Sequence, residues 1–453
     1  MPKAAFYTLG CKVNQVETEQ IKEEFIKKGY KIVDFSESAD VYVINTCTVT
    51  HISDRKSRAV IRRAVRRNPE AIVAVVGCLA QIDAEQIGRI EGVDLIVGNK
   101  EKYNIASIID DYNLGRQKKV INPVISSKDK LNPVIYTYKH ERTRAFIKIQ
   151  DGCQSFCSYC IVPYARGPVR SKLPEVVLSE VRQLIDLGYK EIVFTGIHTG
   201  MYGIDLKGWN LGSLLKFILD EVKGEYRIRL SSIEPLELNE ELCKFIKEEK
   251  RLCRHLHIPL QSGSNKVLKD MNRRYTREYY RDLIMKIAEE VPGIAFTADV
   301  MVGFPTETEK DFEDTYELLN SLPVYDLHVF KYSRRPGTKA AQMISAVTEE
   351  EKQKRSEELI KLADKKRTNF ISRFLGHEIM LLVERKWGIK SYIGLSDNYI
   401  EVEFFSENDL TGELTKVRIE KIEDGKVYGS LILDNNCCAN KQQQNMEGEG
   451  YGI

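Results

Sequence analysis

The chain has no run of 18 apolar residues, so no helix of it is expected to cross a membrane. Its opening, MPKAAFYTLGCKVNQ, lacks the charged-then-apolar layout of a secretion signal, and no export is expected. Ten cysteines without such a signal point to thiols kept reduced in the cytoplasm and used for metal or redox chemistry rather than disulfides. A strong net charge is also missing: 68 basic against 66 acidic residues leave a formal +2. The imbalance is local instead. HISDRKSRAVIRRAVRR, from His51 to Arg67, holds one acid among its lysines and arginines. A length of 453 residues, 42% of them hydrophobic, fits about two to four domains with buried cores.

The most informative residues are Cys153, Cys157 and Cys160 in DGCQSFCSYC. The spacing C-x3-C-x2-C offers three thiolates to a 4Fe–4S cluster and leaves one of its four irons without a protein ligand. An open coordination position lets a metal centre bind and activate a small molecule rather than only brace the chain. At this spacing that molecule is expected to be S-adenosylmethionine (SAM), with Tyr159 placed to cover its adenine. The alternative is a structural zinc knuckle. It needs a fourth ligand nearby, and between Ile161 and Lys190 there is no Cys or His.

Residues 1–113 alternate short apolar segments (AAFYTLG, VYVINT, AIVAVVG, DLIVG) with helical stretches, the pattern of an open parallel-sheet α/β domain. Residues 114–141, with two Asn-Pro pairs, read as a linker. From 142 to 369 the alternation resumes in RAFIKIQ, EIVFTG, YRIRLSS, RHLHIPL, AFTADVMVG and YDLHVFKYS. Six such units suggest a partial (β/α)6 barrel with its site at the carboxyl ends of the strands. Thr348 and Glu351 have capping-box spacing at the head of a charged helix. Residues 370–434 read as strands of a small antiparallel β-barrel, and 435–453 as a disordered tail carrying Cys437 and Cys438. Cys243 and Cys253 read as buried or surface thiols rather than ligands.

A second cysteine set is dispersed. Cys11, Cys47 and Cys78 each stand just past a predicted parallel strand. Ligands of an open α/β sheet bind in the crevice outside those strand ends, so the three are expected to converge. Thiolates gathered in threes suit iron–sulfur chemistry, which predicts a second cluster.

With both sets in place, the chain resembles the radical-SAM methylthiotransferases along nearly its whole length. The matching strings are TLGCKVNQVET, NTCTVT, GCLAQ, DGCQSFCSYCIVPYARG, HIPLQSGS, MNRRYT, DVMVGFPTET and YSRRPGTKAA. GCKVNQ and NTCTVT resemble the MtaB-type branch, which modifies N(6)-threonylcarbamoyladenosine in tRNA. The branches acting on isopentenyl-adenosine or on a ribosomal-protein side chain remain alternatives, as does a non-enzymatic iron–sulfur RNA-binding or electron-transfer protein. The resemblance implies a cluster domain, a radical-SAM core and a C-terminal TRAM-like barrel. It implies two 4Fe–4S clusters, one held by Cys153, Cys157 and Cys160 and one by Cys11, Cys47 and Cys78. SAM would serve as radical source and as methyl donor, and carbon 2 of the adenine would receive the methylthio group. Thr195, Gly196, Gln261, Asp299 and Arg166, near strand ends or the cluster loop, become candidate SAM contacts. An external electron donor and a sulfur source are implied as partners.

For RNA, one face of the segment 54–67 carries Arg55, Arg58, Arg62 and Arg66 at helical spacing, opposite Val60, Ile61, Ala64 and Val65. Such arginines suit phosphate contacts. Lys331, Arg334 and Arg335 are placed to steer an anticodon loop, whose unpaired adenosine can be splayed into a pocket. Residues 370–434 lack a strong aromatic stacking pattern; Tyr392, Tyr399, Phe404 and Phe405 serve equally as core.

Overall fold

The computed structural model describes residues 1–115, 119–136 and 142–432. Six parallel strands form the first sheet: β1 (Lys3–Thr8), β2 (Lys31–Val33), β3 (Val41–Thr46), β4 (Ile72–Gly77), β5 (Leu95–Val97) and β6 (Lys119–Ile121), in the order β2-β1-β3-β4-β5-β6. The central strands are apolar on both faces because both faces are covered. Val41 and Val43 pack with Ile21 and Phe25 of the helix Lys12–Lys27. Their neighbours Tyr42 and Ile44 pack oppositely, with Ile61 and Ala64 of the helix His51–Arg67. Two strands lie outside the expected set. β2 and β6 are three-residue edges, too short to show a pattern, and β6 lies in the expected linker, pairing with β5. The strand order reverses between β1 and β3, which makes the crevice beyond their carboxyl ends the natural ligand position.

The second unit opens with β7 (Arg144–Lys148), followed by the short antiparallel pair β8 (Gln150–Asp151) and β9 (Arg170–Ser171). It continues through β10 (Glu191–Thr195), β11 (Arg227–Leu230), β12 (His255–His257), β13 (Ala295–Val302) and β14 (Asp326–Lys331). The six parallel strands are grouped as β11-β10-β7 and β12-β13-β14, joined by the parallel bridge Ile228↔Leu252, which gives the expected partial barrel. Ile192, Phe194, Ile228, Leu230, Leu256, Phe296 and Ala298 pack in the core shared with the surrounding helices. Alternation along a strand then turns Glu191, Arg227, Arg229, His255, His257, Thr297 and Asp299 to the concave side, so the lumen is polar. The capping box at Thr348 and Glu351 forms as expected and starts the helix Glu349–Ser372.

The last unit is a closed five-stranded barrel of β15 (Glu378–Lys386), β16 (Ser391–Ser396), β17 (Glu401–Phe405), β18 (Leu414–Glu423) and β19 (Lys426–Leu431). It is not antiparallel throughout: β17 and β19 pair in parallel, because an odd number of strands cannot alternate around a closed ring. Tyr392 and Phe404 are core, whereas Phe405 is exposed. This barrel floors the lumen at the amino ends of the strands. Arg229 donates to the carbonyls of Ser396 and Asp397, both at 2.9 Å, and Arg227 to that of Leu395 at 2.7 Å. Tyr399 stacks on His255 with ring centroids 4.2 Å apart. The tail with Cys437 and Cys438 lies outside the described residues.

Candidate active site

Cys11 caps the helix Lys12–Lys27 after β1, Cys47 follows β3, and Cys78 opens the helix Cys78–Ile82 after β4. Cys153, Cys157 and Cys160 lie in the loop between β8 and β9. All six line one cavity of about 300 Å³, together with Tyr159, Arg166, Gly196, Gln261 and Asp299. The two sets therefore face each other across a single space at the carboxyl ends of both sheets. Cys243 and Cys253 are buried elsewhere.

Local backbone explains the placement. Gly10 has φ +100°, and a Cβ there would lie 2.7 Å from Cys47 Cβ and 3.0 Å from its Sγ. Only glycine lets the β1 loop pass this close to Cys47. A Gly10→Ala variant is expected to displace Cys11 from Cys47, and the iron bound per chain after reconstitution should fall; an unchanged iron content would contradict this account of the loop. Gly152 plays the same part in the other loop, where a Cβ would meet Pro168 O at 1.9 Å. That loop is tied down by Cys153 N–H to Gly167 O (3.1 Å), Ser158 N–H to Met271 O (2.9 Å) and Ala340 N–H to Ser158 O (2.8 Å).

The donor sets fit clusters better than a single metal ion. A tetrahedral zinc with Zn–S near 2.3 Å holds its sulfurs about 3.8 Å apart. Among the described residues, the only group of ligands all within 4.8 Å of one another is His257, Asp299 and His328, so neither cysteine trio is that compact. Burial pushes the Cys47 thiol up to about 11 and Cys160 up to about 12, and raises Cys11. Binding iron to such thiols must release their protons. Cys153 is the contrast: burial raises it, but His198, with Nδ1 3.4 Å from its sulfur, brings it below the usual thiol value.

The candidate SAM contacts fare differently. Gly196 lines the cavity, and Thr195 before it is buried. Gln261 also lines it and holds φ +65°, a left-handed conformation unusual for a non-glycine residue and fixed here by bonds to β13. Asp299 meets His257 at 3.2 Å and His328 at 3.3 Å, both through Oδ1, which leaves Oδ2 for a ligand. Arg166 turns the other way. Its Nε lies 3.2 Å from Cys78 Sγ, and its other nitrogens reach Glu17 (2.6 Å) and Asn14. It belongs with the first cysteine set, because the helix Val162–Arg166 packs under the helix that Cys78 opens.

Other residues escaped the sequence reading. His198 follows EIVFTG closely, and Arg273 stands in the quoted string MNRRYT with Nη1 3.5 Å from Cys157 Sγ and a bond to Glu234. Asn99 places Nδ2 3.7 Å from Cys78 Sγ. A buried charge network also lies behind the cavity. Glu17 accepts from Lys102, Lys148 (3.0 Å), Arg166 and the Tyr103 hydroxyl (3.0 Å). Of the residues expected to steer RNA, Arg335 is corrected: it is 5% exposed and clamped between Thr48 (2.7 Å) and Asp54 (2.8 Å), joining the barrel rim to the Cys47 loop.

Comparison with known proteins agrees with this layout. Residues 147–319 match the model of the radical SAM superfamily, and residues 3–98 that of an uncharacterized protein family, UPF0004. Over 93% of this chain and 94% of the relative, it is 44% identical to a protein of Bacillus subtilis named threonylcarbamoyladenosine tRNA methylthiotransferase MtaB. A protein of the same name from Aquifex aeolicus is 42% identical, over 92% of this chain and all of the relative. A tRNA-2-methylthio-N(6)-dimethylallyladenosine synthase of Carboxydothermus hydrogenoformans is 34% identical over 94% of this chain and 98% of the relative. Among solved structures, the radical SAM methyltransferase TsrM of Kitasatospora setae shares the fold at a TM-score of 0.56 and 15% identity, covering 73% of each chain. With its cysteine loop beside a partial barrel, an α/β domain bringing a second trio to the same cavity, and full-length relatives of one kind, the chain belongs to the radical SAM tRNA methylthiotransferase family, whose chemistry uses SAM and a 4Fe–4S cluster.

Proposed function

We propose that this protein adds a methylthio group to carbon 2 of N(6)-threonylcarbamoyladenosine next to the anticodon of tRNA. The observation that carries the reading is the meeting of two cysteine trios in one cavity. One trio suits radical generation and the other suits sulfur delivery, and the insertion needs both beside the same carbon. That carbon bears no acidic hydrogen, so a general base is of no use and the hard chemistry falls to cofactors. When bound, two 4Fe–4S clusters and SAM supply a carbon radical, a sulfur and a methyl group. The relatives named for threonylcarbamoyladenosine at 44% and 42% identity, against 34% for the dimethylallyladenosine relative, favour the nucleoside.

In this reading Cys153, Cys157 and Cys160 hold the SAM-binding cluster, and Cys11, Cys47 and Cys78 hold the auxiliary one. Tyr159, Thr195, Gly196, Gln261 and the free oxygen of Asp299 orient SAM. Arg166 holds the auxiliary side rather than SAM. Arg55, Arg62 and Arg66 are exposed on the helix His51–Arg67 and are free to meet phosphates, whereas Arg58 pairs with Asp83 at 3.2 Å. Electrons and sulfur come from external donors, and the site of action is the cytoplasm. No helix among the described residues is long and apolar enough to cross a membrane.

The test is anaerobic incubation of iron- and sulfide-reconstituted protein with SAM, a reductant and tRNA lacking methylthio groups, followed by digestion and mass spectrometry of the nucleosides. A methylthio addition on threonylcarbamoyladenosine is the expected result. Addition on isopentenyl-adenosine would overturn the nucleoside, and SAM cleavage with unaltered tRNA would move the substrate to protein.

A further inference from the structure

β14 is the edge strand of the partial barrel, and its carboxyl end is tied to the loop of Cys47. His51 N–H donates to Ser333 Oγ at 3.1 Å, and Arg335 reaches Thr48 at 2.7 Å and Asp54 at 2.8 Å. The strand therefore runs from that loop down into the lumen. Its residues alternate between two faces. Leu327 and Val329 pack against the core, while His328 meets Asp299 and stacks on His257. Phe330, two residues nearer the loop of Cys47, shares the face of His328. Asp299 in turn lines the cavity with both cysteine trios. This face is open, because the side chain of His328 is 52% exposed and Phe330 is 45% exposed.

The bonding of His328 fixes what it can offer. A carboxylate only accepts, so His328 Nδ1, 3.3 Å from Asp299 Oδ1, carries a proton. Nε2 is left without a bond among the described residues. The bond to Asp299 raises the pKa of His328, which favours a proton on Nε2 as well. Asp299 has its own charge offset, since the same oxygen also takes His257 at 3.2 Å. The next acid on this face, Asp326, is already bound by Arg367 at 2.8 and 3.2 Å. What the open face presents is an aromatic ring and, one step deeper, a cationic N–H donor. The substrate reading supplies a matching pair of groups. An unpaired base is held by stacking on an aromatic side chain. Carbon 2 of adenine and the carbon that bears N6 both flank N1. A base that turns carbon 2 to the cysteines can therefore send its N6 substituent along β14 into the lumen. Phe330 and His328 stand roughly 6.6 Å apart along the strand, a step that the carbamoyl link spans. The threonylcarbamoyl substituent ends in a carboxylate; the isopentenyl substituent has neither charge nor acceptor.

We propose that the lumen face of β14 is the nucleoside pocket. Phe330 stacks on the adenine, and His328 binds the carboxylate of the threonylcarbamoyl group and so selects an acidic N6 substituent over a neutral one. The inference rests on the nucleoside reading above and deepens it. Its test compares the reconstituted holoenzyme and its His328→Leu and Phe330→Ala variants, matched for iron per chain, on three anticodon stem-loops. One carries threonylcarbamoyladenosine, one the methyl ester of that carboxylate, and one isopentenyl-adenosine. The wild type is expected to prefer the acid over the ester by roughly 10- to 100-fold in kcat/KM, as for loss of a hydrogen bond to a charged group. His328→Leu should bring the acid down to the level of the ester. Phe330→Ala should lower both by roughly 5- to 150-fold, the worth of one stacked base, and keep their ratio. Anisotropy measurements of stem-loop binding without SAM should show the same ratios. Equal use of acid and ester by the wild type, which needs no variant to fold, would overturn the inference and leave the nucleoside reading standing. A preference kept in His328→Leu, or an equal fall on both substrates there, would also overturn the role of His328. An unchanged Phe330→Ala would overturn the stacking. Failure of the wild type on the acid with success on isopentenyl-adenosine would remove the nucleoside reading and the inference together.

Discussion

Replacing Cys47 with alanine is expected to leave SAM cleavage in place and to abolish methylthio transfer, while Cys157→Ala abolishes both. The two trios hang on different scaffolds. Cys47 is fixed by β3 and the helix His51–Arg67, whose Ser57 hydroxyl donates to the Cys47 carbonyl at 3.4 Å. The loop of Cys157 is instead fixed by backbone bonds to Gly167, Met271 and Ala340. Loss of one thiolate should therefore empty its own site and leave the other folded. The measurements are iron per chain, 5′-deoxyadenosine formed with reductant, and methylthio-nucleoside released from tRNA. For Cys47→Ala the expected pattern is about half the iron, retained 5′-deoxyadenosine and a fall in transfer of at least roughly 1,000-fold, because a transferring group is removed rather than weakened. Retained transfer in this variant would remove the auxiliary-cluster role from the first trio. Lost cleavage would show that the two sites do not fold independently.

How much of this was legible in the sequence follows from how local each signal is. C-x3-C-x2-C is contained in one loop, and Cys11, Cys47 and Cys78 each follow an apolar run bounded by turn residues, so both trios could be read along the chain. The polar lumen was half visible in RIRL, where the charged and apolar residues alternate. The partners of the thiols were not legible, because they depend on helix-on-helix packing that has no linear signature. Arg166 sits among the cluster-loop residues yet reaches Cys78, 88 positions away. Arg335 looked like a surface cation beside Arg334, but its guanidinium closes on Asp54 from another domain. β2 and β6 were missed because three residues at a sheet edge carry too little hydrophobic pattern to be distinguished from a turn.

Glu17→Gln is expected to loosen the attachment of the α/β domain to the barrel. Glu17 is fully buried on the helix Lys12–Lys27. It faces Lys102 from its own domain, and Lys148 and Arg166 from the barrel side. Asp151 is the other acid of the network, bonded to Lys148 at 3.1 Å. Burial opposes the charge on Glu17, but Arg166, Lys102 and Lys148 outweigh it and hold the carboxyl well below its usual value. A glutamine of the same shape would take from Lys102 its carboxylate partner and leave Lys148 and Arg166 to share Asp151 with Arg170. Removing one partner of a buried ion pair costs about 3–5 kcal/mol, since the remaining charge stays desolvated without compensation. The first denaturant unfolding midpoint should fall accordingly, and the iron held by the first trio should become more labile, because Arg166 loses the anchor that aims its Nε at Cys78. The sign with pH follows from the depressed pKa. The stabilisation by Glu17 is fully present above the ordinary glutamate range and is lost as pH falls toward its folded value. The wild type should therefore lose its advantage over Glu17→Gln progressively below about pH 4.5, near the unfolded-state pKa of glutamate. Equal midpoints for the two proteins at neutral pH would show that the packing of the helix Lys12–Lys27, and not this carboxylate, joins the domain that carries Cys11, Cys47 and Cys78 to the barrel.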